Sequence, residues 1–139
     1  MNNRVLVAGL IGGIAFFFLG YLMYALLLAE PLAANTMSGA GRPDDDIQFV
    51  YLVIGNLAFG FLFAYILDKA NVRTAGSGGT MGLIIGLLTG IGVDMAMYGT
   101  TYHYTSLTGV LYDVIAITVM SAIVGALLGW WYGRGHKAI

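Results

Sequence analysis

The sequence is short of the residue types on which much protein chemistry depends. It contains no cysteine, which excludes disulfides, thiolate nucleophiles, iron–sulfur clusters and zinc–cysteine sites. Charged side chains make up only 9% of its 139 residues, against about 25% in ordinary globular domains. A water-soluble protein of this size would need more charge to cover its surface, so we expect lipid to surround most of the chain. The formal net charge of −1 gives no reason to expect a nucleic-acid partner.

Long uncharged runs are what the chain has instead. We predict an all-α polytopic membrane protein, with residues 1–139 forming a single domain and a bundle of four transmembrane helices. The helices are expected at about residues 5–29, 47–70, 80–99 and 108–133, because roughly 20 apolar residues are needed to cross a bilayer as a helix. The first run is longer than the apolar region of a signal peptide, so we expect it to remain as a helix.

The basic residues predict an orientation. With both termini in the cytoplasm, five of the six basic residues lie on the inner side, as the positive-inside rule requires. These are Arg4, Lys69, Arg73, Arg134 and Lys137, while Arg42 lies outside. We therefore predict a multi-pass protein of a bacterial inner membrane, with the lipid bilayer as its first partner.

Glycine recurs every four residues in the last two predicted helices. Close backbone contact is important between helices in lipid, where the hydrophobic effect contributes little to their association. We expect packing, either within the chain or against another subunit, through Gly82, Gly86, Gly90, Ser121, Gly125, Gly129 and Gly133. Such faces predict a homo-oligomer or a subunit of a larger membrane complex.

Two aspartates lie inside the predicted helices at similar depth. Asp94 is about five residues from the outer end of the third helix, and Asp113 is about five residues into the fourth. Ionisable residues within a span usually face the bundle interior, which makes them functional candidates. Two carboxylates at a site of low dielectric constant would favour one shared proton. The other groups that we expect near this pair are Asn56, Tyr24, Tyr98, Tyr112 and His103.

This predicted polar site has two interpretations. It is either a proton, cation or ligand site, or a set of hydrogen bonds that holds the helices together. His103 fits a turn at the membrane boundary, although it could also accept a proton from Asp94 or Asp113. A copper site formed with Met95 and Met97 has little support. We predict no cofactor and no metal.

The run Asp44-Asp45-Asp46 lies just before the second predicted helix. Acidic residues there would cap the free N–H groups of the helix and oppose the positive end of its dipole. The spaced ligands and final glutamate of an EF-hand loop are missing, so we prefer the capping interpretation to a calcium site.

Three segments carry a resemblance that covers nearly the whole chain: VLVAGLIGGIAFFFLGYLMY, YLVIGNLAFGF and LYDVIAITVMSAIVGALLGWWYG. In these the sequence resembles a family of small bacterial four-helix integral membrane proteins of unknown function, common in Bacteroidetes-like bacteria. The resemblance implies four spans and an inner-membrane location. It implies no activity or catalytic residue.

The functional expectation is a structural or accessory membrane subunit that assembles through its glycine-rich helix faces. The alternative is a small transporter or ligand-binding protein, coupled to protons or cations at the Asp/Tyr/Asn site. We predict no enzyme, because no recognisable nucleophile motif surrounds Ser106 or Ser121.

Overall fold

The computed structural model describes residues 2–134. Every named element of secondary structure in that range is a helix. They are α1 (Asn3–Gly20), α2 (Ala29–Ala34), α3 (Phe49–Lys69), α4 (Ala75–Thr100) and α5 (Leu107–Gly133). A π-helical segment, Tyr21–Leu27, continues α1 without a break. Four helices are long and apolar enough to cross a membrane, namely α1 with its π-helical extension, α3, α4 and α5. The predicted all-α class with four membrane-length helices is confirmed.

Helix α4 begins at Ala75, earlier than the start predicted near residue 80. The side chain of Thr74 accepts a hydrogen bond of 3.1 Å from the backbone nitrogen of Ser77, which caps the first turn. The glycine-rich segment after Thr74 is therefore helical, because the cap and the packing of Gly78 offset the low helix propensity of glycine.

Helices α4 and α5 form an antiparallel pair with glycines at the contact. Every fourth residue of α4 from position 78 to position 90 is a buried glycine, since this spacing returns to nearly the same side of a helix. A Cβ on Gly82 would collide with the carbonyl oxygen of Ser121, and one on Gly125 with that of Gly78. Six of the predicted packing residues lie in this contact: Gly82, Gly86, Gly90, Ser121, Gly125 and Gly129. These residues could pack against another subunit only if α4 and α5 separated. The seventh, Gly133, lies instead against the backbone of Arg73, in the loop before α4.

Helices α1 and α3 form the other antiparallel pair, and their closest contact is local. A Cβ on Gly60 would collide with the backbone of Gly13, so the two backbones touch at this point. The ring of Phe16 is buried beside that of Phe63, with centroids 5.1 Å apart. Nearer the end of α1, Gly20 has open space around it, and a cleft separates α1 from α3.

Tyr132 of α5 joins the two helix pairs at one end of the bundle. Its ring is fully buried, and its hydroxyl donates a hydrogen bond of 2.8 Å to the carbonyl oxygen of Ala64 in α3. Nη2 of Arg4 in α1 donates to the carbonyl oxygen of Tyr132, also at 2.8 Å. The contact therefore brings α1, α3 and α5 together.

Charge is separated between the two ends of the bundle. The basic end carries Arg4, Lys69, Arg73 and Arg134, with Asp68 at 3.5 Å from Arg73. The acidic end carries Glu30, Asp44, Asp45, Asp46, Asp94 and Asp113, with Arg42 paired to Asp46 at 2.8 Å. Lys137, also predicted on the basic side, lies outside the described residues.

The capping interpretation of the three consecutive aspartates is wrong. Asp44–Asp46 form a short 3-10 helix of their own, and α3 begins later, at Phe49. Gln48 precedes that first residue and makes no side-chain capping hydrogen bond. The extended residue Ile47, followed by Gln48, separates the aspartates from their expected position at the start of α3.

Candidate functional site

Two carboxylates and two tyrosine hydroxyls meet at the acidic end of the bundle. We call Asp94, Asp113, Tyr24 and Tyr104 the carboxylate–tyrosine cluster. The Tyr104 hydroxyl donates to Oδ2 of Asp113 at 2.5 Å and lies 3.4 Å from Oδ1 of Asp94. The Tyr24 hydroxyl donates to Oδ1 of Asp113. One hydroxyl thus lies between two carboxylates, while a second binds one of them from the other side.

Both aspartates continue the close-packed faces of α4 and α5. Asp94 is the next step after Gly90 in the four-residue series of α4, and it is only 6% exposed. In α5 the series runs back from Ser121 through Ile117 to Asp113. Because the two series face each other along the helix pair, the carboxylates are placed together where the glycines end.

The π-helical segment places Tyr24 in the cluster. In Tyr21–Leu27 more residues occupy each turn than in an α-helix, and the Leu28 nitrogen donates to the Met23 carbonyl oxygen at 2.8 Å as the segment ends. Such segments are rare and are often found at functional sites. Here the segment carries the only cluster residue that comes from the first helix pair.

Tyr104 lies in the turn between α4 and α5, and a loop from the first helix pair fixes this turn. The backbone nitrogen of Met37 donates to the carbonyl oxygen of His103 at 2.7 Å, and that of Thr105 donates to the carbonyl oxygen of Asn35 at 2.9 Å. The hydroxyl of Ser106 adds a bond of 2.7 Å to Oδ1 of Asn35. We call these contacts the loop clamp.

The loop clamp buries Tyr104, which is 5% exposed, and this determines its protonation. Burial raises the pKa of the Tyr104 hydroxyl well above its ordinary value, and its hydrogen bond to Asp113 and the charge of that residue raise it further. The hydroxyl therefore keeps its proton throughout the physiological pH range. It has one proton to donate and two carboxylates within reach.

The cluster lacks a compensating positive charge. Within residues 2–134, no lysine, arginine or histidine side chain forms an ion pair or hydrogen bond with Asp94 or Asp113. In the same range, no group of three or more histidine, aspartate or glutamate side chains is placed to hold a metal ion. The arrangement can therefore take up a proton, or a small cation held by oxygen atoms.

The structure brings together three of the predicted site residues, Asp94, Asp113 and Tyr24. Asn56 was expected beside them, but its amide nitrogen donates to the carbonyl oxygen of Leu52 in its own helix, at 2.7 Å. The short polar side chain bonds one turn back along α3, where it lies beside the cleft rather than the cluster.

Tyr98, Tyr112 and His103 also lie apart from the hydrogen bonds of the cluster. Tyr98 is exposed beside an open hollow of about 690 Å³, and Tyr112 follows a different face of α5 from its neighbour Asp113. His103 lies in the turn, as its boundary interpretation predicts, with its ring centroid 4.7 Å from that of Tyr104.

Sequence reasoning missed Tyr104 as a member of the cluster. The available signal was its place in a short turn between two helices that each carry an aspartate. The loop clamp that turns it inward joins residues 35–37 to residues 103–106, and no local pattern encodes that pairing.

A second feature at the acidic end is the lateral cleft, a space of about 770 Å³ between α1 with its π-helical extension and α3. Its apolar lining includes Phe17, Phe49, Leu52 and Met120. Its polar lining consists of Tyr21, Tyr24, Asp44 and Asn56. Tyr24 therefore belongs both to this cleft and to the carboxylate–tyrosine cluster.

Comparisons with known proteins add no assignment to this geometry. No family model, curated protein or solved structure matches the chain. The resemblance to small bacterial four-helix membrane proteins stays a prediction, and the function has to be inferred from the cluster and the cleft.

Proposed function

We propose that the protein is a small ligand-binding protein or transporter of a bacterial inner membrane that takes up a proton or a small cation at the carboxylate–tyrosine cluster. One observation carries the proposal. Asp94 and Asp113 share the single proton of the Tyr104 hydroxyl, and no basic side chain of the described residues pairs with either carboxylate.

The cost of charge in a membrane supports this proposal. Two ionised carboxylates next to each other would repel, and a surrounding of low polarity strengthens the repulsion. A proton shared between the carboxylates, or a cation between them, removes that cost. Ionisable groups inside membrane helices are expensive and are therefore candidates for ion or proton pathways.

The charge distribution supports an orientation for the site. If the basic end faces the cytoplasm, as the positive-inside rule requires, both termini are cytoplasmic and the cluster lies in the outer half of the membrane. Protons or cations would then reach it from the outer side, past the loop clamp or through the lateral cleft.

Uptake at this site would also change how the two helix pairs are connected. Tyr24 belongs to the first pair, whereas Asp113 belongs to the second. A protonated Asp113 is a weaker acceptor than an ionised one, because hydrogen bonds to charged groups are the stronger kind. Proton occupancy and the contact between helix pairs would therefore depend on each other.

Infrared difference spectra between buffer at about pH 5.5, where an ordinary exposed carboxyl group stays ionised, and alkaline buffer test the proposal on protein in liposomes. We expect a C=O stretching band of a protonated carboxyl group in acid that disappears in alkali. Asp94→Asn and Asp113→Asn should each shift or remove this band, whereas the exposed control Asp45→Asn should leave it unchanged. An unaltered difference spectrum in the Asp94→Asn/Asp113→Asn double variant would refute the proposal.

A structural or accessory role is the second candidate, and a different row of small residues favours it. Gly92, Ala96 and Gly99 are exposed on one face of α4, and Gly92 and Gly99 have open space where a Cβ would stand. Small residues on an exposed face allow another membrane helix to approach closely. The protein would then be a homo-oligomer or a subunit of a larger membrane complex, joined through this row.

A further inference from the structure

The lateral cleft has the size and lining of a site for a small organic molecule. Its volume of about 770 Å³ falls within the range of roughly 300–1,000 Å³ that is common for ligand pockets. Aromatic and aliphatic side chains cover most of it, together with a few polar groups. Tyr21, Phe49 and Leu52 at its rim are exposed, so the cleft is open at the side of the bundle.

The charge around the lateral cleft is of one sign. None of the described lining residues is basic, and Asp44 supplies a carboxylate. Arg42, the basic residue at the acidic end of the described bundle, is already bonded to Asp46 at 2.8 Å. Behind Tyr24 lies a second carboxylate, that of Asp113. An anionic ligand would meet repulsion here, whereas a positive charge would be stabilised.

The uncharged groups of the cleft favour the same kind of ligand. The rings of Phe17, Tyr21 and Phe49 offer π faces, which attract cations most strongly where water is excluded. One N–H of the Asn56 amide donates to the Leu52 carbonyl oxygen, and the side-chain oxygen of Asn56 is an acceptor. The polar lining of the cleft thus includes two acceptors, the Asp44 carboxylate and the Asn56 side-chain oxygen.

We propose that the lateral cleft binds a lipophilic organic cation, a molecule with one positive centre and an apolar body. The apolar body lies between α1 and α3, and the positive centre lies near Asp44 and Tyr24. The proposal rests on the proposed function in one respect, because the negative charge of Asp113 behind Tyr24 is the charge that proton uptake would cancel.

The shared Tyr24 couples the two occupants. Three groups lie close to Asp113: Tyr24 from the π-helical segment, Tyr104 from the turn and Asp94 from α4. A proton on this cluster and a cation in the cleft neutralise the same negative charge, so each disfavours the other. Binding of the organic cation is therefore weaker in acid than at neutral pH.

Two hydrophobic ions of nearly equal size and opposite charge test the proposal. Tetraphenylphosphonium and tetraphenylborate are each equilibrated with the protein in lipid nanodiscs, and binding to empty nanodiscs is subtracted. We expect saturable binding of one phosphonium ion per cleft, with an affinity at least about tenfold above that for the borate ion. Acidic buffer should weaken phosphonium binding.

Matched variants locate the binding. Gly20 lines the cleft and has open space around it, so Gly20→Leu should fill the cleft and abolish binding. Gly55 also has open space around it but does not line the cleft, so Gly55→Leu should bind as the unchanged protein does. Asp44→Asn should weaken binding roughly threefold, as expected for an exposed charge, and Asp45→Asn should not. Circular dichroism and size exclusion check that each variant is folded.

Three outcomes overturn the proposal: equal binding of the two ions, no phosphonium binding beyond empty nanodiscs, or full binding to folded Gly20→Leu. A neutral lipid that fills the cleft would give the second outcome. If binding fails while the carboxyl infrared band persists, the proposed proton site stands without an organic ligand. If binding needs Gly20 and Asp44 but does not vary with pH, the coupling to Asp113 is wrong.

Discussion

At the scale of single residues, the most informative group is the Tyr104 hydroxyl. It lies 2.5 Å from one carboxylate and 3.4 Å from another, and burial in the loop clamp keeps it protonated. A donor that stays protonated between two carboxylates holds them near each other without neutralising either. The negative charge therefore remains for a proton or cation to balance.

Replacing this residue should weaken the fold. Tyr104→Phe keeps the ring and removes the donor, so we expect the free energy of unfolding to fall by about 1.5–3 kcal/mol, the range for hydrogen bonds to charged groups. The measurement is reversible unfolding in mixed micelles. Tyr102→Phe is the control, because Tyr102 is 86% exposed. Equal losses of stability in the two variants would contradict the role given to Tyr104.

Part of the site was predictable from the sequence at this scale. Asp94 and Asp113 could be paired because helical rise places both at a similar depth below a shared turn. Tyr24 could be added as a nearby donor. Asn56 could not be placed correctly, because its bond to Leu52 within α3 competes with any longer reach. Tyr104 depended on a distant loop and was missed.

At the scale of elements, glycine divides the bundle into two closely packed helix pairs. The contact of α4 with α5 extends over four turns of glycines, while that of α1 with α3 is local and gives way to the lateral cleft. Close packing holds the two aspartates in register, and its absence near Gly20 leaves room for a ligand. The presence of close glycine contact thus accounts for the paired aspartates, and its absence accounts for the lateral cleft.

A single added methyl group tests this contact. In Gly82→Ala the Cβ would collide with the Ser121 carbonyl oxygen, which belongs to the backbone and cannot rotate away. We expect a loss of about 1–3 kcal/mol of stability in micelles, as is typical of overpacking. Gly92→Ala on the same helix, where the Cβ meets open space, should not lower stability and should raise it by up to about 1 kcal/mol, because alanine has the higher helix propensity. Similar effects in both would show that α4 and α5 are not so close.

The sequence predicts elements better where their pattern is periodic than where it is not. The four membrane-length helices follow from apolar length, and the glycine spacing identifies the face of α4 that packs. The π-helical segment Tyr21–Leu27 has no signal of this kind, because it consists of ordinary apolar and aromatic residues. The separate 3-10 helix of Asp44–Asp46 was likewise not predictable, because aspartates are common at the first residues of many helices.

At the scale of the whole molecule, the two helix pairs are joined at both ends of the bundle. Tyr132 joins them at the basic end, and the cluster with its loop clamp joins them at the acidic end. A bundle held in this way leaves much of its apolar surface exposed. The accessory candidate predicts a partner at the row of Gly92, Ala96 and Gly99.

Because the chain has no cysteine, one introduced cysteine is enough to test that contact. If copies of the protein meet through this row, oxidation in native membranes should link Ala96→Cys into dimers. Ile115→Cys, also exposed but on α5, should remain monomeric under the same conditions. Absence of dimers from Ala96→Cys, or equal dimer yields from both variants, would remove support for a homo-oligomer at this face.

The direction of the Tyr24 side chain depends on how the π-helical segment is wound. Tyr24 is the fourth of its seven residues, so its direction around the helix axis depends on how tightly the residues before it are wound. A return of Tyr21–Leu27 to α-helical winding would turn the Tyr24 hydroxyl away from Asp113 and towards a different side of the helix. The first helix would then lose its bond to Asp113 by rewinding one segment, while the loop clamp and Tyr132 still join the two helix pairs.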